Sequence, residues 1–381
     1  MIYFDHAATT PLHPEVLHSI QEVLANYYGN PSSLHRLGVE AERLLTKARQ
    51  QIAELLNISP ATIIFTSGGT ESNNLAIKGS LFAHQHRGRH IITSQAEHAS
   101  VYEVMKQLES KGFEVTYLSV EGSGQIDPDR VLRAVRNDTV LVSLMFVHNE
   151  AGAVHPIQEL DDRLKAFPKV LCHVDAVQSY GKLPLHLEKL GVHMLTLSAH
   201  KVKGPKGVGI LYKKEGLHLE PQIIGGGQEG GWRSGTENVP LIVGAAKAFR
   251  LAESKRQDDF QYVNKLRAAF LAKLQNESSL IVNSPVADGL AVPHIVNVSC
   301  PGVQSEVVVH ALEERGFYIS SRSACSSKDN KPSRVLLAQG LSRERAASGL
   351  RISLSGDHTI TQVEELADAL IQVTKQLKAI V

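Results

Sequence analysis

The sequence predicts an α/β fold built on a largely parallel sheet, followed by a smaller α+β unit. Between residues 40 and 215, short β-branched runs alternate with amphipathic helical segments, a pattern typical of a parallel sheet with helices on both faces. After about residue 250 a long charged helix interrupts this alternation, and shorter strands and helices follow it. The change in pattern indicates a second structural unit.

The length of the chain favours two domains. It has 381 residues, too many for one simple core and few for three. We expect a large α/β domain over residues 16–255. Residues 1–15 and 256–381 are expected to form the small α+β domain, which would carry the loop around Cys325.

Individual elements can be located from hydrophobic spacing. Ala41, Leu45, Ala48, Ile52 and Leu55 form an apolar stripe that predicts a helix. "TIIFTSGGT" (62–70) reads as a strand, a glycine turn and the start of the next helix. The further predicted strands are 90–93, 140–147, 170–174, 193–197, a glycine-broken strand that follows the turn "KGPKG" (203–207), 294–300 and 349–355. The further predicted helices are 99–112, 250–275, 307–316 and 361–381.

Composition argues against nucleic acid and membranes as partners. Lys and Arg number 40 against 39 Asp and Glu, so there is no charge excess to bind polyanions. The first residues, "MIYFDHAATTPLHPE", do not resemble a signal peptide, and the apolar run 140–147 is too short to span a bilayer. A cytoplasmic protein is expected.

Cysteine and histidine spacing predicts neither a disulfide framework nor a resident metal. Cys172, Cys300 and Cys325 contain no CxxC pair, and the 18 histidines contain no HExxH motif. Any one of the three cysteines could instead be a reactive thiol.

Polar residues follow the predicted strands at the point where each strand ends. In an open parallel sheet, ligands bind outside the carboxyl ends of the strands. These residues would therefore meet at one edge of the sheet: 67–70 (Ser-Gly-Gly-Thr), His98, Asn149, Asp175, Gln178 and 198–201 (Ser-Ala-His-Lys).

Each of these features has more than one interpretation. "SGGTESNN" is either a helix cap or a phosphate cradle, and it lacks the GK[ST] and GxGxxG of nucleotide sites. Asp175 is either a helix N-cap or the partner of a buried cationic nitrogen. Lys201 could be a solvated charge, a phosphate ligand or a covalent nucleophile. Together they describe a pyridoxal phosphate site, with Lys203 and Lys206 as rival amines in the turn "KGPKG".

At these residues the sequence resembles the cysteine desulfurases of the NifS/IscS type, which are fold-type I pyridoxal phosphate enzymes of the class-V aminotransferase family. The resemblance runs essentially end to end. It rests on "YFDHAATTP", "GNPSSLHRLG", "TSGGTESNN", "EHASV", "HNEAG", "HVDAVQSYGK", "SAHKVKGPKGVG", "GGGQEGGWRSGTEN", "SRSACSS" and "LRISLS". It implies a mainly parallel seven-stranded sheet between helices, a smaller α+β domain, and pyridoxal 5'-phosphate as cofactor.

The resemblance also implies how the cofactor is held. Lys201 would form the Schiff base, and Asp175 would pair with the pyridine nitrogen. Gln178 and Asn149 would lie near the phenolic oxygen, and His98 would stack on the ring and shuttle protons. The residues that match phosphate ligands are Gly69, Thr70, Ser198 and His200, together with Thr236, which would come from the neighbouring subunit of a homodimer.

For the substrate, the resemblance implies that Arg351 and Asn149 bind the carboxylate end of L-cysteine. Cys325 would take the sulfur as a persulfide and release L-alanine. The persulfide would then pass to an acceptor such as an iron–sulfur scaffold, with a transient iron–sulfur contact through Cys325, or a tRNA-thiolation enzyme. Arg322 and Lys328 flank Cys325 and would favour its thiolate.

Three alternatives stay open at this point. A related fold-type I enzyme, either an aminotransferase or a selenocysteine lyase, would share most of these residues, although an aminotransferase does not need Cys325. A sulfur-handling scaffold without catalysis is the third alternative. Cys172, within a predicted strand, reads as a core thiol, and Cys300 has no evident partner. Gly230 stands where relatives often have an arginine, which leaves subunit contacts open.

Overall fold

The computed structural model describes residues 1–287, 289–321 and 332–379. The strands in these residues are β1 (Ile2–Tyr3), β2 (Ile63–Thr66), β3 (His90–Ser94), β4 (Glu114–Leu118), β5 (Thr139–Met145), β6 (Leu171–Asp175), β7 (Met194–Ser198), β8 (Gly209–Lys213), β9 (Ile281–Val282), β10 (Ile295–Ser299), β11 (Phe317–Tyr318) and β12 (Gly349–Ser353). The helices are α1 (Pro14–Asn26), α2 (Arg36–Leu56), α3 (Gly69–His84), α4 (Ala99–Glu109), α5 (Pro128–Ala134), α6 (Ile157–Leu164), α7 (Leu187–Leu190), α8 (Val239–Leu274), α9 (Ser305–Glu313), α10 (Arg334–Ala338), α11 (Arg343–Ala347) and α12 (Ile360–Lys378).

The central element is a seven-stranded sheet with the order β2-β8-β7-β6-β5-β3-β4. Strands β3 to β7 pair in parallel, and β8 runs antiparallel to both β2 and β7. Parallel neighbours need crossover connections, which the helices between them supply. The mainly parallel sheet expected from the sequence is therefore confirmed, and the carboxyl ends of β2, β3, β5, β6 and β7 share one edge.

Both faces of this sheet are covered. Phe65, Ile92 and Val142 enter a core shared with α2 and α8, while Ile64 and Ile91 enter a second core shared with α3 and α4. Successive side chains of a strand point to opposite faces. Strands buried on both sides are therefore apolar throughout, which is why they could be recognised as short continuous runs.

One strand of the sheet, β4, was not among the predicted strands. It lies at the edge of the sheet, and its residues Glu114 to Leu118 are exposed or only half-buried. The segment "EVTYL" mixes polar and apolar residues because only one neighbouring strand and one face bury it. A run of this kind carries no strong hydrophobic signal.

The predicted helix stripe is confirmed in α2, where Ala41, Leu45, Ala48 and Ile52 are buried and Leu55 is half-buried. The helix packs against α8, which also contacts α1, in the core on that side of the sheet. The helix is 21 residues long, from Arg36 to Leu56, and therefore extends beyond the predicted stripe at both ends.

A separate core, which we call the small core, lies in the carboxyl-terminal part of the chain. β10 pairs antiparallel with β9 and β12, and α12 and α9 pack together beside this sheet. Phe4 from the amino terminus is fully buried in the same core. The expectation of a smaller α+β unit therefore agrees with the architecture.

Helix α8 connects the two cores without a break. Its first half buries Ala245 and Phe249 in the core that the sheet shares with α2, which we call the large core. Its second half buries Leu266 and Phe270 in the small core. The boundary expected between residues 255 and 256 falls between these halves. The division into two domains at that point stays a prediction.

A buried ion pair fixes the loop that contains Gly230. Glu229 accepts hydrogen bonds from both terminal nitrogens of Arg49, at 2.6 and 3.0 Å, and from the backbone N–H of Phe65 at 2.8 Å. Gly230 itself has φ +63°, a left-handed conformation that a residue with a side chain adopts at a cost. The glycine at this position thus matches the backbone that the ion pair holds.

Replacing Arg49 by methionine is expected to lower the free energy of unfolding by about 2–3 kcal/mol, because Glu229 would be left buried without its cation. This is below the usual range for a buried pair since the Arg49 side chain is 20% exposed. Urea denaturation at one protein concentration measures the change. The control is Arg36→Met, which removes a pair whose arginine is 89% exposed and should leave the unfolding midpoint unchanged. Equal unfolding midpoints for the two variants would contradict the assignment.

Candidate active site

The polar residues expected at the carboxyl edge of the sheet do come together. They line one cavity of about 170 Å³ next to the ends of β2, β3, β5, β6 and β7. The predicted site residues in its wall are Gly69, Thr70, His98, Asn149, Asp175, Gln178, Ser198, His200, Lys201 and Arg351. Thr236 lies elsewhere, and Cys325 lies outside the described residues.

Lys201 is held at this edge by the amino-terminal segment. It ends a short helical turn, Ala199–Lys201, that follows β7 directly. Its Nζ donates to the carbonyl oxygens of Ala7 and Ala8, at 2.5 and 2.8 Å. Thr10 secures the same turn, because its hydroxyl donates to the His200 carbonyl at 2.8 Å. These backbone carbonyl groups direct the lysine amine into the cavity.

The two rival lysines are placed differently. Lys203 forms an ion pair with Asp357, with its Nζ 2.6 Å from each carboxylate oxygen, and Lys206 is exposed. Neither lines the cavity that contains Asp175 and Lys201. The geometry favours Lys201 among the three amines.

Asp175 ends β6 as a buried carboxylate with two fixed donors. One oxygen accepts from the Asn73 side-chain amide at 2.8 Å, and the other accepts from the Val177 backbone N–H at 3.0 Å. Asn73, on α3, was not singled out in the sequence. A second asparagine follows it at once, and nothing local distinguishes the one that faces the sheet.

His98 begins α4 as its N-cap, with Nδ1 accepting from the Ser100 backbone N–H at 3.2 Å and lying 2.8 Å from the Ser100 hydroxyl. Asn73 in turn donates to that hydroxyl at 2.8 Å. Burial lowers the pKa of His98, and the positive charge of Lys201 lowers it further, although Asp175 opposes this. The ring is thus neutral near pH 7, with its proton on Nε2.

Helix α3 begins with a glycine turn that suits an anion. Its N-cap, Gly68, has no side chain to occupy the first backbone N–H groups, which point outward at any helix start. A Cβ on Gly69 would lie 3.0 Å from the Val177 side chain. Glu71 holds the turn by accepting from the Ser67 N–H at 2.9 Å and from Arg233.

Arg351, on β12, brings the small unit to the cavity. It is 1% exposed, and its terminal nitrogens donate to the Asn149 carbonyl at 3.0 Å and to Asp5 at 2.8 Å. Asp5 was not predicted, since it lies 346 residues away along the chain. Burial raises the pKa of Asp5, while Arg351 opposes that rise.

Several buried polar atoms of the cavity wall have no hydrogen-bond partner within the described part of the chain. They are Ser198 Oγ, Asn149 Oδ1 and Arg351 Nε. Buried polar groups are normally paired, so these atoms indicate contacts to a bound molecule. A hydroxyl beside the glycine turn, an amide near the lysine and a guanidinium opposite suit a phosphate, a ring oxygen and a carboxylate respectively.

A second buried acid, Glu97, lies behind the site and was also missed. It is fully buried, and one oxygen accepts from the Ser94 hydroxyl at 2.7 Å and the Met145 backbone N–H at 3.1 Å. Burial raises the pKa of Glu97 to about 8, and the charge of Asp175 adds to this effect. Glu97 directly precedes His98 in the sequence, and nothing in that local sequence indicated how deeply its carboxylate is buried.

Two predicted residues are not brought to the cavity by this chain. Thr236 is exposed and lines a separate groove with Glu229 and Arg233, so its expected role from a second subunit stays a prediction. Cys325 falls in the undescribed range 322–331. Cys172 and Cys300 are both buried, and burial raises the pKa of the Cys172 thiol to about 12, as suits an inert core thiol.

The described residues contain neither a metal-binding cluster nor a membrane-spanning helix. No group of three or more His, Cys, Asp or Glu side chains lies close enough to hold a metal ion. No helix in the same residues is long and apolar enough to cross a membrane.

Comparison with known proteins places this geometry in a family. The family model described as aminotransferase class-V matches residues 2–366. Cysteine desulfurase IscS of Dictyoglomus turgidum is 41% identical over 380 residues, spanning 100% of this chain and 96% of that protein. A solved NifS-like protein superposes with a TM-score of 0.91 at 38% identity and covers 100% of both chains. SspA, solved in complex with cysteine, gives a TM-score of 0.81 at 38% identity, over 93% of this chain and 99% of that one.

The fold and the site define a fold-type I pyridoxal phosphate enzyme. The residues fit that cofactor, because the unpartnered Ser198 hydroxyl, the glycine turn, the buried Asp175 and the Lys201 amine meet in one cavity. The chain belongs to the class-V aminotransferase family, and its relatives there are the cysteine desulfurases of the NifS/IscS type. The resemblance seen in the sequence motifs is confirmed.

Replacing Asn73 by alanine is expected to weaken pyridoxal phosphate binding about tenfold, because Asp175 and Ser100 would both lose a donor. Titration of the cofactor-free protein, followed by its absorbance, measures the change in Kd. Asn26→Ala is the matched control, since that side chain only donates to a carbonyl on the exposed face of α1. An unchanged Kd in Asn73→Ala would show that the link between Asp175 and His98 does not organise the site.

Proposed function

We propose that the protein is a cysteine desulfurase. It removes sulfur from L-cysteine and leaves L-alanine and a persulfide on Cys325. The observation that carries the proposal is the meeting of Lys201, Asp175, His98 and Arg351 in one cavity. The relatives named as cysteine desulfurases, and the similar SspA solved with cysteine, support cysteine as the substrate.

Pyridoxal phosphate, when bound, withdraws electrons from the α-carbon of an amino acid. Lys201 would attach the cofactor, and Asp175 would hold its ring nitrogen. The phosphate would lie against Gly69, Thr70, Ser198 and His200. Burial lowers the pKa of His200 to about 4, so this imidazole acts as a neutral hydrogen-bond donor. Gln178 and Asn149 would meet the ring oxygen, and Thr236 of a second subunit would complete the phosphate contacts.

The substrate is oriented by its carboxylate. The guanidinium of Arg351 is rigidly placed by Asp5 and the Asn149 carbonyl, and its fork geometry suits a carboxylate. This fixes the α-carbon near the Lys201 amine, which accepts the α-proton. His98 presents its Nε2 proton to the same cavity and exchanges protons with the substrate thiol.

The final bond exchange needs a nucleophile, which we assign to Cys325. Its thiolate attacks the substrate sulfur, so that a sulfur–sulfur bond forms as the carbon–sulfur bond breaks. The electron pair of the broken bond stays with the carbon, which is then protonated to give alanine. The buried Cys172 and Cys300 are poorly suited to this role.

We also assign an oligomeric state, a cellular location and a sulfur acceptor to this enzyme. The protein would act as a homodimer in the cytoplasm, as a sulfurtransferase that supplies an acceptor protein, for example in iron–sulfur cluster assembly. The IscS names of the relatives support the role in sulfur supply for iron–sulfur cluster assembly. A large domain over residues 16–255 and a small domain from 1–15 and 256–381 would close around the substrate.

Cys325→Ala is expected to keep the yellow absorbance of the bound cofactor but to form no protein persulfide. Its rate of alanine production should fall at least about 100-fold, which is the size of effect seen when a catalytic group is removed. Alanine is quantified after incubation with cysteine, and persulfide by mass spectrometry. Cys300→Ala is the control and should retain both activities. If Cys325→Ala produces alanine at the wild-type rate, another group is the nucleophile.

Lys201→Ala is expected to abolish covalent attachment of the cofactor, since no amine would remain at the Asp175 edge. Borohydride reduction followed by peptide mass spectrometry measures the attachment site. Lys206→Ala should still carry the label on the peptide that contains residue 201. Labelling of Lys203 or Lys206 in the wild-type protein would move the covalent site to the rival amine.

A further inference from the structure

A second cavity lies on the other side of Lys201. Its volume is about 350 Å³, within the range of small-molecule sites. Lys201 and Gln178 line both cavities, so these two side chains form the partition between them. None of the roles proposed above uses this second space.

Lys182 supplies an unpaired positive charge to this cavity. It follows the segment "QSYG" after β6, and its ammonium forms no hydrogen bond or ion pair with any residue the structure describes. Burial lowers the pKa of Lys182, and the charge of Lys203 lowers it further, against the effects of Asp259 and Asp357. The Lys182 side chain is half-buried, and an ammonium partly removed from water without a close partner is costly, so the position favours an anion.

The two acids nearby do not meet this need. Asp357 is engaged by Lys203 through both oxygens at 2.6 Å and by the Ser355 hydroxyl at 3.2 Å. Asp259, on α8, lines the wall but lies outside ion-pair distance of Lys182. Its contribution is a longer-range Coulomb attraction.

Two imidazoles add hydrogen-bond capacity without charge. His294 is 5% exposed, and neither of its ring nitrogens has a partner in the described residues. His6 Nδ1 is likewise buried and unpartnered there. Burial lowers the pKa of His6 to about 4 and that of His294 well below its ordinary value. Both rings are therefore neutral, and each has an N–H to donate.

The charge balance of the wall also favours an anion. Lys182, Lys203 and Lys255 face two acids, Asp259 and Asp357, and Lys201 stands at the partition. A partly open cavity with surplus positive charge and neutral donors suits a compact oxyanion.

We propose that this cavity binds a small oxyanion, either a carboxylate of amino-acid size or an inorganic anion of the sulfate type, through the ammonium of Lys182. The bound anion would lie across the side chains of Lys201 and Gln178 from the catalytic cavity. This inference does not depend on the desulfurase reaction, because it rests on the second cavity alone.

The first test locates the anion in the wild-type protein. Crystals of the cofactor-loaded enzyme are soaked in sodium selenate, and anomalous scattering from selenium marks the bound ion. We expect a peak in the second cavity, with an oxygen about 2.8 Å from Lys182 Nζ. A cavity that holds only water at saturating selenate would overturn the proposal, whatever binds at Arg351.

The second test measures the dependence on Lys182. Isothermal titration of the cofactor-loaded enzyme with sulfate is compared among wild type, Lys182→Met and Lys189→Met, the last being an exposed lysine on α7. We expect Lys182→Met to weaken this binding at least about tenfold and Lys189→Met to leave it unchanged. Equal affinity in wild type and Lys182→Met would overturn the proposal. Competition between sulfate and acetate then shows which source of oxyanion the site prefers.

Discussion

The buried carboxylate of Asp175 is the group around which the site is organised. A carboxylate that is only 7% exposed must be hydrogen-bonded inside the protein, because water is not available to do it. Asn73 meets this requirement and also donates to Ser100, which in turn holds His98. One amide therefore fixes the relative positions of β6, α3 and α4, and with them an acid and a base that the chain keeps 77 positions apart (175 − 98).

The amino-terminal segment makes the complementary connection. Ala7 and Ala8 hold the Lys201 amine with their carbonyl groups, and Asp5 holds Arg351. The same segment is anchored by Phe4, which is fully buried in the small core. The distance between Lys201 and Arg351 thus depends on how the small core packs. Core substitutions near Phe4 would act on substrate binding through this segment rather than through contact with the substrate.

The parts of this arrangement that the sequence revealed are those with local signals. Strands buried on both faces appear as apolar runs, and Lys201 and Asp175 could be located because each follows such a run directly. The motifs then added the roles. Asp5 and Asn73 gave no such signal, because their importance comes from a partner far away in the chain. The edge strand β4 was missed for a related reason, since a half-exposed strand does not need an apolar run. The antiparallel direction of β8 was likewise invisible, because direction depends on the connection and not on composition.

The distribution of charge explains how the region around Lys201 and Arg351 can attract anions without carrying positive charge over its whole surface. Burial keeps His6, His98 and His200 neutral, so these rings offer hydrogen bonds but no net charge. The positive charge is concentrated on side chains with defined geometry, namely Lys201 between two carbonyls and Arg351 against Asp5. A group bearing a phosphate or a carboxylate is therefore drawn to particular points of the wall. Because neutral donors cost less to bury than cations do, the protein can surround those points with imidazoles and still hold the Lys201 amine in the same cavity.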